Sequence, residues 1–213
     1  MSSTDNYIKR IYLVYTNILD LLNARGYDDV DSTHIDKFLN ERIKRFIDEQ
    51  DSVYIDIFVN NGIKKTFVKF ADKLDIKSKN LYELKNSISL ENDMSETDDI
   101  IIVCLNNAFN DKDINEINEF EENNSGTRIM GYKYLMFNIT KHFLVPKHMK
   151  YKGRKSDLCE KLLINNINKL PVILHSDPIA RYYDYKSNDV IEIERPVKAN
   201  KISKVYRICK YRK

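Results

Sequence analysis

Apolar residues return every three to four positions from residue 6 to residue 25. Ile8, Ile11, Tyr12, Tyr15, Ile18, Leu19 and Leu22 share one stripe and predict a helix that stops at Gly26, a residue suited to the left-handed position after a helix. A second stripe, Ile35, Phe38, Leu39, Ile43, Phe46 and Ile47, predicts another helix, with Ser32 or Thr33 as its cap. The period then shortens. Val53, Ile55 and Ile57 alternate with Tyr54, Asp56 and Phe58, which predicts a strand; Asn60-Asn61-Gly62 is a hairpin signal, and Lys65 to Phe70 runs back. A helix is expected around Leu81–Leu90. The unbroken apolar run Ile100–Leu105 reads as a central strand, buried on both faces. Ile114, Ile117 and Phe120 mark a further helix, followed by candidate strands at Arg128–Tyr132 and Tyr134–Ile139. Helices alternating with strands over residues 1–135 predict an α/β layered domain.

The pattern beyond is different. Ser156 is positioned to cap a helix carrying Leu158, Cys159, Leu162, Leu163 and Ile167. Leu170-Pro171-Val172-Ile173 is extended. Asp177-Pro178 opens a helical turn, because Asp accepts from orphaned N–H groups and Pro at the first helical position has none to satisfy. Lys186-Ser187-Asn188-Asp189 has turn chemistry, and Val190-Ile191-Glu192-Ile193-Glu194 alternates as a half-buried strand does. Final strands are expected at Asp189–Arg195 and Ser203–Lys210, joined by a loop from Pro196 to Ile202. The chain thus divides into an N-terminal α/β domain, residues 1–137, and a small C-terminal α+β domain, residues 138–213.

Charge sharpens that division. The net charge of the 213 residues is only +3, but residues 141–213 hold 18 Lys and Arg against 7 Asp and Glu, leaving +11 there and −8 in the remainder. Two modules of opposite sign suit two different partners. The three cysteines are isolated and lie in apolar patterns, which argues against a disulfide framework or a zinc site. No apolar run approaches the length of a membrane span, and no secretory signal is visible at the start, so no membrane partner is expected. Five glycines provide no phosphate-binding loop, there is no Gly-x-Ser-x-Gly, and His142 and His148 lack a usual metal spacing. No cofactor, metal site or catalytic residue is therefore expected. Basic residues interleaved with tyrosines, as in Tyr206-Arg207 and Lys210-Tyr211-Arg212, are compatible with phosphate contact but also common on strand surfaces.

Three ordered motifs in the last third carry a resemblance. They are Asn138-Ile139-Thr140-Lys141-His142-Phe143-Leu144-Val145-Pro146-Lys147-His148; then Leu170-Pro171 with Asp177-Pro178-Ile179-Ala180-Arg181-Tyr182, Lys186 and Val190-Ile191-Glu192-Ile193-Glu194-Arg195; and Tyr206-Arg207-Ile208-Cys209. This stretch resembles the C-terminal domain of the fifth subunit shared by eukaryotic-type DNA-directed RNA polymerases, a domain that stands alone in the archaeal counterpart. Leu22, Arg25, Gly26 and Tyr27 also match the end of that family's first helix. The resemblance implies a non-catalytic polymerase subunit with an N-terminal jaw and a C-terminal assembly domain. It would dock on the largest subunit, beside other polymerase subunits, with the jaw near downstream double-stranded DNA. By the same resemblance the docking residues are His142, Pro146, His148, Asp177, Pro178, Arg181, Tyr182, Lys186, Arg195, Tyr206 and Arg207, and the DNA-proximal ones are Asn107, Asn110 and Lys112.

The sequence departs from the family pattern at Lys186-Ser187-Asn188, where Lys-Arg-Gly is usual, and at Pro196–Ile202. It departs again at Asn110-Asp111-Lys112-Asp113, an acidic replacement of Thr-Pro-Ser-Ala. Such drift, with an Ile-, Lys- and Asn-rich composition, points to a large DNA virus encoding its own polymerase. The expected location is the nucleus for a cellular protein, and the virion with host cytoplasm or host nucleus for a viral one.

The family's N-terminal domain resembles the core of restriction-type endonucleases, which hold a divalent metal between an Asp and an acidic-x-Lys pair. Asp56 and Lys69 stand roughly at such places, but Phe67 occupies the second acidic position. Asp56 is thus expected to be an outward strand residue. The alternatives to a polymerase subunit are a free-standing DNA-binding transcription regulator and, behind it, an active nuclease.

Overall fold

A computed structural model describes residues 3–27, 35–49, 51–106, 109–197 and 201–211. The chain separates into two units, Met1–Phe137 and Asn138–Lys213.

In the first unit, α1 (Ser3–Ala24) and α2 (Ile35–Glu49) precede the hairpin of β1 (Ile57–Asn60) and β2 (Lys65–Ala71). Then α3 (Ser78–Glu91), β3 (Asp99–Cys104), α4 (Asp111–Asn123) and β4 (Thr127–Gly131) follow. The sheet order is β1-β2-β3-β4; the first pair is antiparallel and the other two are parallel. Parallel neighbours need crossovers, and α3 and α4 supply them. Both helices pack on one face, where Leu81, Ile88, Ile117 and Phe120 meet Phe67, Ile100, Ile102, Cys104 and Ile129. Toward the other face Tyr15 of α1 stacks on Phe70, their rings 5.8 Å apart. β3 is buried along its whole length, as its apolar run predicts. Gly26 closes α1 at φ +89°, with Tyr27 N–H donating to the Leu22 carbonyl at 3.1 Å.

Two of the expected strands take other forms. Ser52–Tyr54 is a 3-10 turn, wound by the Asp51 carboxylate accepting from Val53 N–H at 3.0 Å. Val53 is exposed and Ile55 fully buried, so the alternation of 53–57 reflects a turn against the core rather than a pleat. Tyr132–Leu135 and Ile139–Lys141 are 3-10 turns as well. The aromatic stretch after β4 is held by α1 instead of a ladder: Asn17 Nδ2 donates to the Leu135 carbonyl at 2.8 Å, and the Arg10 guanidinium lies 4.5 Å from the Tyr132 ring centre. Ser32 and Thr33, the expected caps of α2, lie outside the described residues.

The second unit contains β5 (Lys147–Lys150), α5 (Lys155–Leu162), β6 (Val172–Leu174), α6 (Pro178–Tyr182), β7 (Val190–Val197) and β8 (Lys201–Lys210). Its sheet order is β5-β7-β8-β6, antiparallel except for the β6–β8 pair. Each face bears a small core. One joins Ile173, Ile191, Ile193 and Cys209 to Ile179, Ala180 and Tyr185 around α6. The other joins Val190, Tyr206 and Ile208 to Leu158 of α5 and to Leu170.

β7 and β8 run beyond the expected limits, pairing Pro196 with Ile202 and Val197 with Lys201, so both ends of the expected loop 196–202 belong to strands; residues 198–200 lie outside the described residues. α5 begins after Arg154, not at Ser156, whose hydroxyl bonds the Asp157 carboxylate at 3.0 Å. It ends at Leu162, because Leu163 turns left-handed at φ +53° and Ile164 N–H closes on the Cys159 carbonyl at 3.0 Å. Ile167 therefore belongs to a separate 3-10 turn, Ile167–Lys169.

Candidate functional site

The motif stretch builds one corner of the second unit. Asp177 caps α6, its Oδ1 accepting from Ile179 N–H at 2.8 Å, with Pro178 at the first helical position. The Lys186–Asp189 turn is closed by Lys186 N–H donating to Asp189 Oδ2 at 2.9 Å and Asp189 N–H to the Lys186 carbonyl at 3.0 Å. Its third residue, Asn188, sits at φ +69°. That conformation suits glycine best, and asparagine is among the few other residues that adopt it readily, so Asn188 suits this place in the turn. Lys186 Nζ pairs with Asp184 Oδ2 at 2.7 Å.

Strand register brings three nominated residues near one another: His148 of β5 pairs with Ile193 of β7, two residues from Arg195, and Ile193 pairs with Val205 of β8, two residues from Arg207. The His148 ring donates from Nδ1 to the Pro146 carbonyl at 2.7 Å, so the neutral ring carries its proton on Nδ1. Burial holds His148 below the ordinary imidazole range; Pro146 and the Asp177 carboxylate oppose that, and Arg207 and Arg195 reinforce it. His148, Asp177, Arg195 and Arg207 therefore share one electrostatic neighbourhood. Arg207 also donates to the Val172 carbonyl at 3.3 Å. Such a corner offers two guanidiniums as donors to a carboxylate-bearing surface, while the free nitrogen of the neutral His148 ring can only accept.

Other nominated residues are inside the fold. Arg181 and Tyr182 are buried in α6, and the Tyr182 hydroxyl accepts from Asn138 Nδ2 at 3.1 Å. Tyr206 is buried with its hydroxyl donating to Glu192 Oε2 at 3.0 Å. Glu192 is held below the usual carboxylate range, chiefly by its bond from Lys204 Nζ at 2.6 Å. His142 lies exposed beside Phe143, with ring centres 5.0 Å apart. Sequence reasoning passed over Phe143 and Leu144, which are 88% and 72% exposed. Two large apolar residues inside a basic motif were the available signal.

In the first unit, Asn110 is the cap of α4, in a reciprocal box with Asp113: each side chain accepts from the other's backbone N–H at 3.0 Å. Lys112 is exposed, 4.0 Å from Glu116. Asn107 lies outside the described residues.

Asp56 is not an outward strand residue. It precedes β1 with its carboxylate buried, accepting Phe70 N–H at 2.9 Å through Oδ1 and pairing with Lys69 Nζ at 2.8 Å through Oδ2. A misread strand start hid this, since an alternating residue 56 would point outward. Phe67 lies in the core under α3 and α4. A cleft of about 380 Å³ beside Lys69 is lined by Tyr7, Phe46, Phe70, Asp72 and Lys73. In it the Tyr7 hydroxyl bonds Asp72, and burial together with that carboxylate pushes the phenol well above its ordinary range. Among the described residues no group of three or more His, Cys, Asp or Glu is arranged to hold a metal ion, and no helix is long and apolar enough to cross a membrane.

Residues 137–209 match the family model described as RNA polymerase Rpb5, C-terminal domain. The chain is also similar to DNA-directed RNA polymerases I, II, and III subunit rpabc1 of Dictyostelium discoideum, 38% identical over 76 residues, covering 35% of this chain and 38% of that one. The corresponding subunits of Caenorhabditis briggsae and Caenorhabditis elegans are each 38% identical over 63 residues, covering 29% of either chain. The matched stretch thus spans well under half of these relatives, and the family-model match lies at the C-terminal unit.

Proposed function

We propose that this chain is a non-catalytic subunit of a multisubunit DNA-directed RNA polymerase. Its C-terminal unit docks on the largest subunit, and its N-terminal unit forms part of the jaw near downstream DNA. One observation carries the reading: the family match at residues 137–209 nearly coincides with a separately packed unit, Asn138–Lys213. The turn and cap devices of its motif are present there as working structure.

The absence of an activity of its own belongs to the same proposal. Asp56 and Lys69 satisfy one another and a backbone amide, and Phe67 supplies no ligand where a nuclease needs a carboxylate. The four gathered residues His148, Asp177, Arg195 and Arg207 are the strongest docking candidates. Arg181, Tyr182 and Tyr206 would act by holding the unit's shape. The acidic start of α4 at Asp111 and Asp113 opposes phosphate contact at Asn110, so any DNA-side role of this segment would be one of proximity. A cellular form would work in the nucleus; a viral one would be found in the virion and the host cytoplasm or nucleus.

Co-expression of the full chain with the largest polymerase subunit of the same source tests the reading. The two should elute as one complex in size-exclusion chromatography. Elution as separate species at micromolar concentration would overturn it.

A further inference from the structure

The turn joining residue 138 to β5 exposes two neighbouring large apolar side chains, Phe143 at 88% and Leu144 at 72%. Scattered exposed leucines are ordinary on protein surfaces; an adjacent pair on a fixed turn is not. This turn is fixed. Asn138 Oδ1 accepts from Thr140 N–H at 3.0 Å and from its hydroxyl at 2.6 Å. His142 N–H donates to the Ile139 carbonyl at 3.2 Å, and Val145 N–H to the His142 carbonyl at 2.9 Å. The His142 ring reaches back, with Nδ1 accepting from Leu144 N–H at 3.3 Å, and lies against the Phe143 ring. On the far side His148 holds the Pro146 carbonyl. Little backbone entropy is left to lose on binding, which is the condition for an efficient anchor.

The surroundings select the partner. From Asn138 to Ser156 the sequence holds six Lys or Arg and no Asp or Glu. A second copy would bring the same basic turn against itself, and like charges facing across an interface are costly. Duplex DNA satisfies the lysines but leaves two apolar side chains without a hydrophobic seat.

We propose that Phe143 and Leu144 are the anchor pair by which the C-terminal unit seats in an apolar pocket, rimmed by carboxylates, on the largest polymerase subunit. This rests on the polymerase reading above. It adds to the corner around His148 a hydrophobic centre, and the arrangement becomes the usual one of a buried apolar core with a charged rim.

The test uses the full chain and its Phe143→Ser/Leu144→Ser double variant, titrated against the largest subunit. Both side chains are exposed, so the variant should melt with the wild type. Its affinity should fall at least about 30-fold, the scale of a lost hot spot. Leu90→Ser, which removes an 84% exposed leucine from α3, should bind as the wild type does. Equal affinities for the wild type and the double variant overturn the anchor while leaving the subunit reading intact. Failure of the wild type to bind overturns both. Wild-type self-association, or partition onto anionic phosphatidylserine vesicles, abolished by the double variant while polymerase binding persists, assigns the pair to another occupant and also overturns the proposal.

Discussion

Replacing Asp56 by alanine should unfold the N-terminal unit at a lower temperature rather than remove an activity. Two interactions are lost. Phe70 N–H, on a strand within the core, loses its 2.9 Å acceptor, and an unsatisfied buried amide costs about 1–3 kcal/mol. Lys69 loses a partner at 2.8 Å, but its side chain keeps 24% exposure and turns to water, so that loss is about 0–1 kcal/mol. The sum is about 1–4 kcal/mol. In a unit of this size each kcal/mol moves the midpoint by about 3–5 °C, which gives a drop of about 3–20 °C. Asp56→Asn keeps an acceptor for Phe70 and should lose less than half as much. Scanning calorimetry of the full chain, following the transition assigned to residues 1–137, reads both variants beside the wild type. An Asp56→Ala protein as stable as wild type would refute the structural role. Magnesium-dependent cleavage of plasmid DNA by the wild type, lost in that variant with no change in stability, would restore a catalytic one.

Three further outcomes follow from the second unit. Leu163 is left-handed at φ +53° with its side chain 92% exposed, so Leu163→Gly should raise the unit's thermal midpoint by the equivalent of about 1 kcal/mol; a lowered midpoint contradicts that. At Asn188, φ +69°, Asn188→Gly should stay within about 0.5 kcal/mol of wild type, whereas Asn188→Val should cost about 1–2 kcal/mol in urea denaturation. The folded state holds His148 below its ordinary value of 6.5, so the unfolded chain binds the proton more readily there. The His148 contribution is fully present above 6.5 and declines as pH falls through 6.5 toward the lower folded value. Urea midpoints between pH 8 and pH 5.5 should fall less steeply for His148→Asn than for wild type, and parallel curves would contradict this.

The local devices of the second unit were legible because short-range chemistry decides them. Asp177-Pro178 caps and starts α6 whatever surrounds it, and Asn188 takes a left-handed turn for reasons internal to the residue. The apolar run of β3 announced a strand covered on both sides. What failed depended on contacts distant in sequence. Tyr132–Leu135 turns because α1 holds it through Asn17 and Arg10, more than a hundred residues away. Asp56 is buried because Lys69 and Phe70 return beside it on β2. The Ser156 cap is a local miss instead: α5 opens after Arg154, which makes no side-chain cap bond, and Ser156 lies within the first turn with its hydroxyl on the adjacent Asp157. Motif matching marked Arg181, Tyr182 and Tyr206 as readily as surface residues, because a motif records which residues are needed without separating packing from docking.

The most direct measurement is affinity capture of the tagged full chain from the cells in which it is made, followed by mass spectrometry, beside the same chain lacking residues 138–213. The full chain should bring down the largest polymerase subunit in near-equal amount, and the truncated chain should bring down none. Recovery of the full chain alone, or equal recovery of the polymerase by the truncated one, would contradict the account.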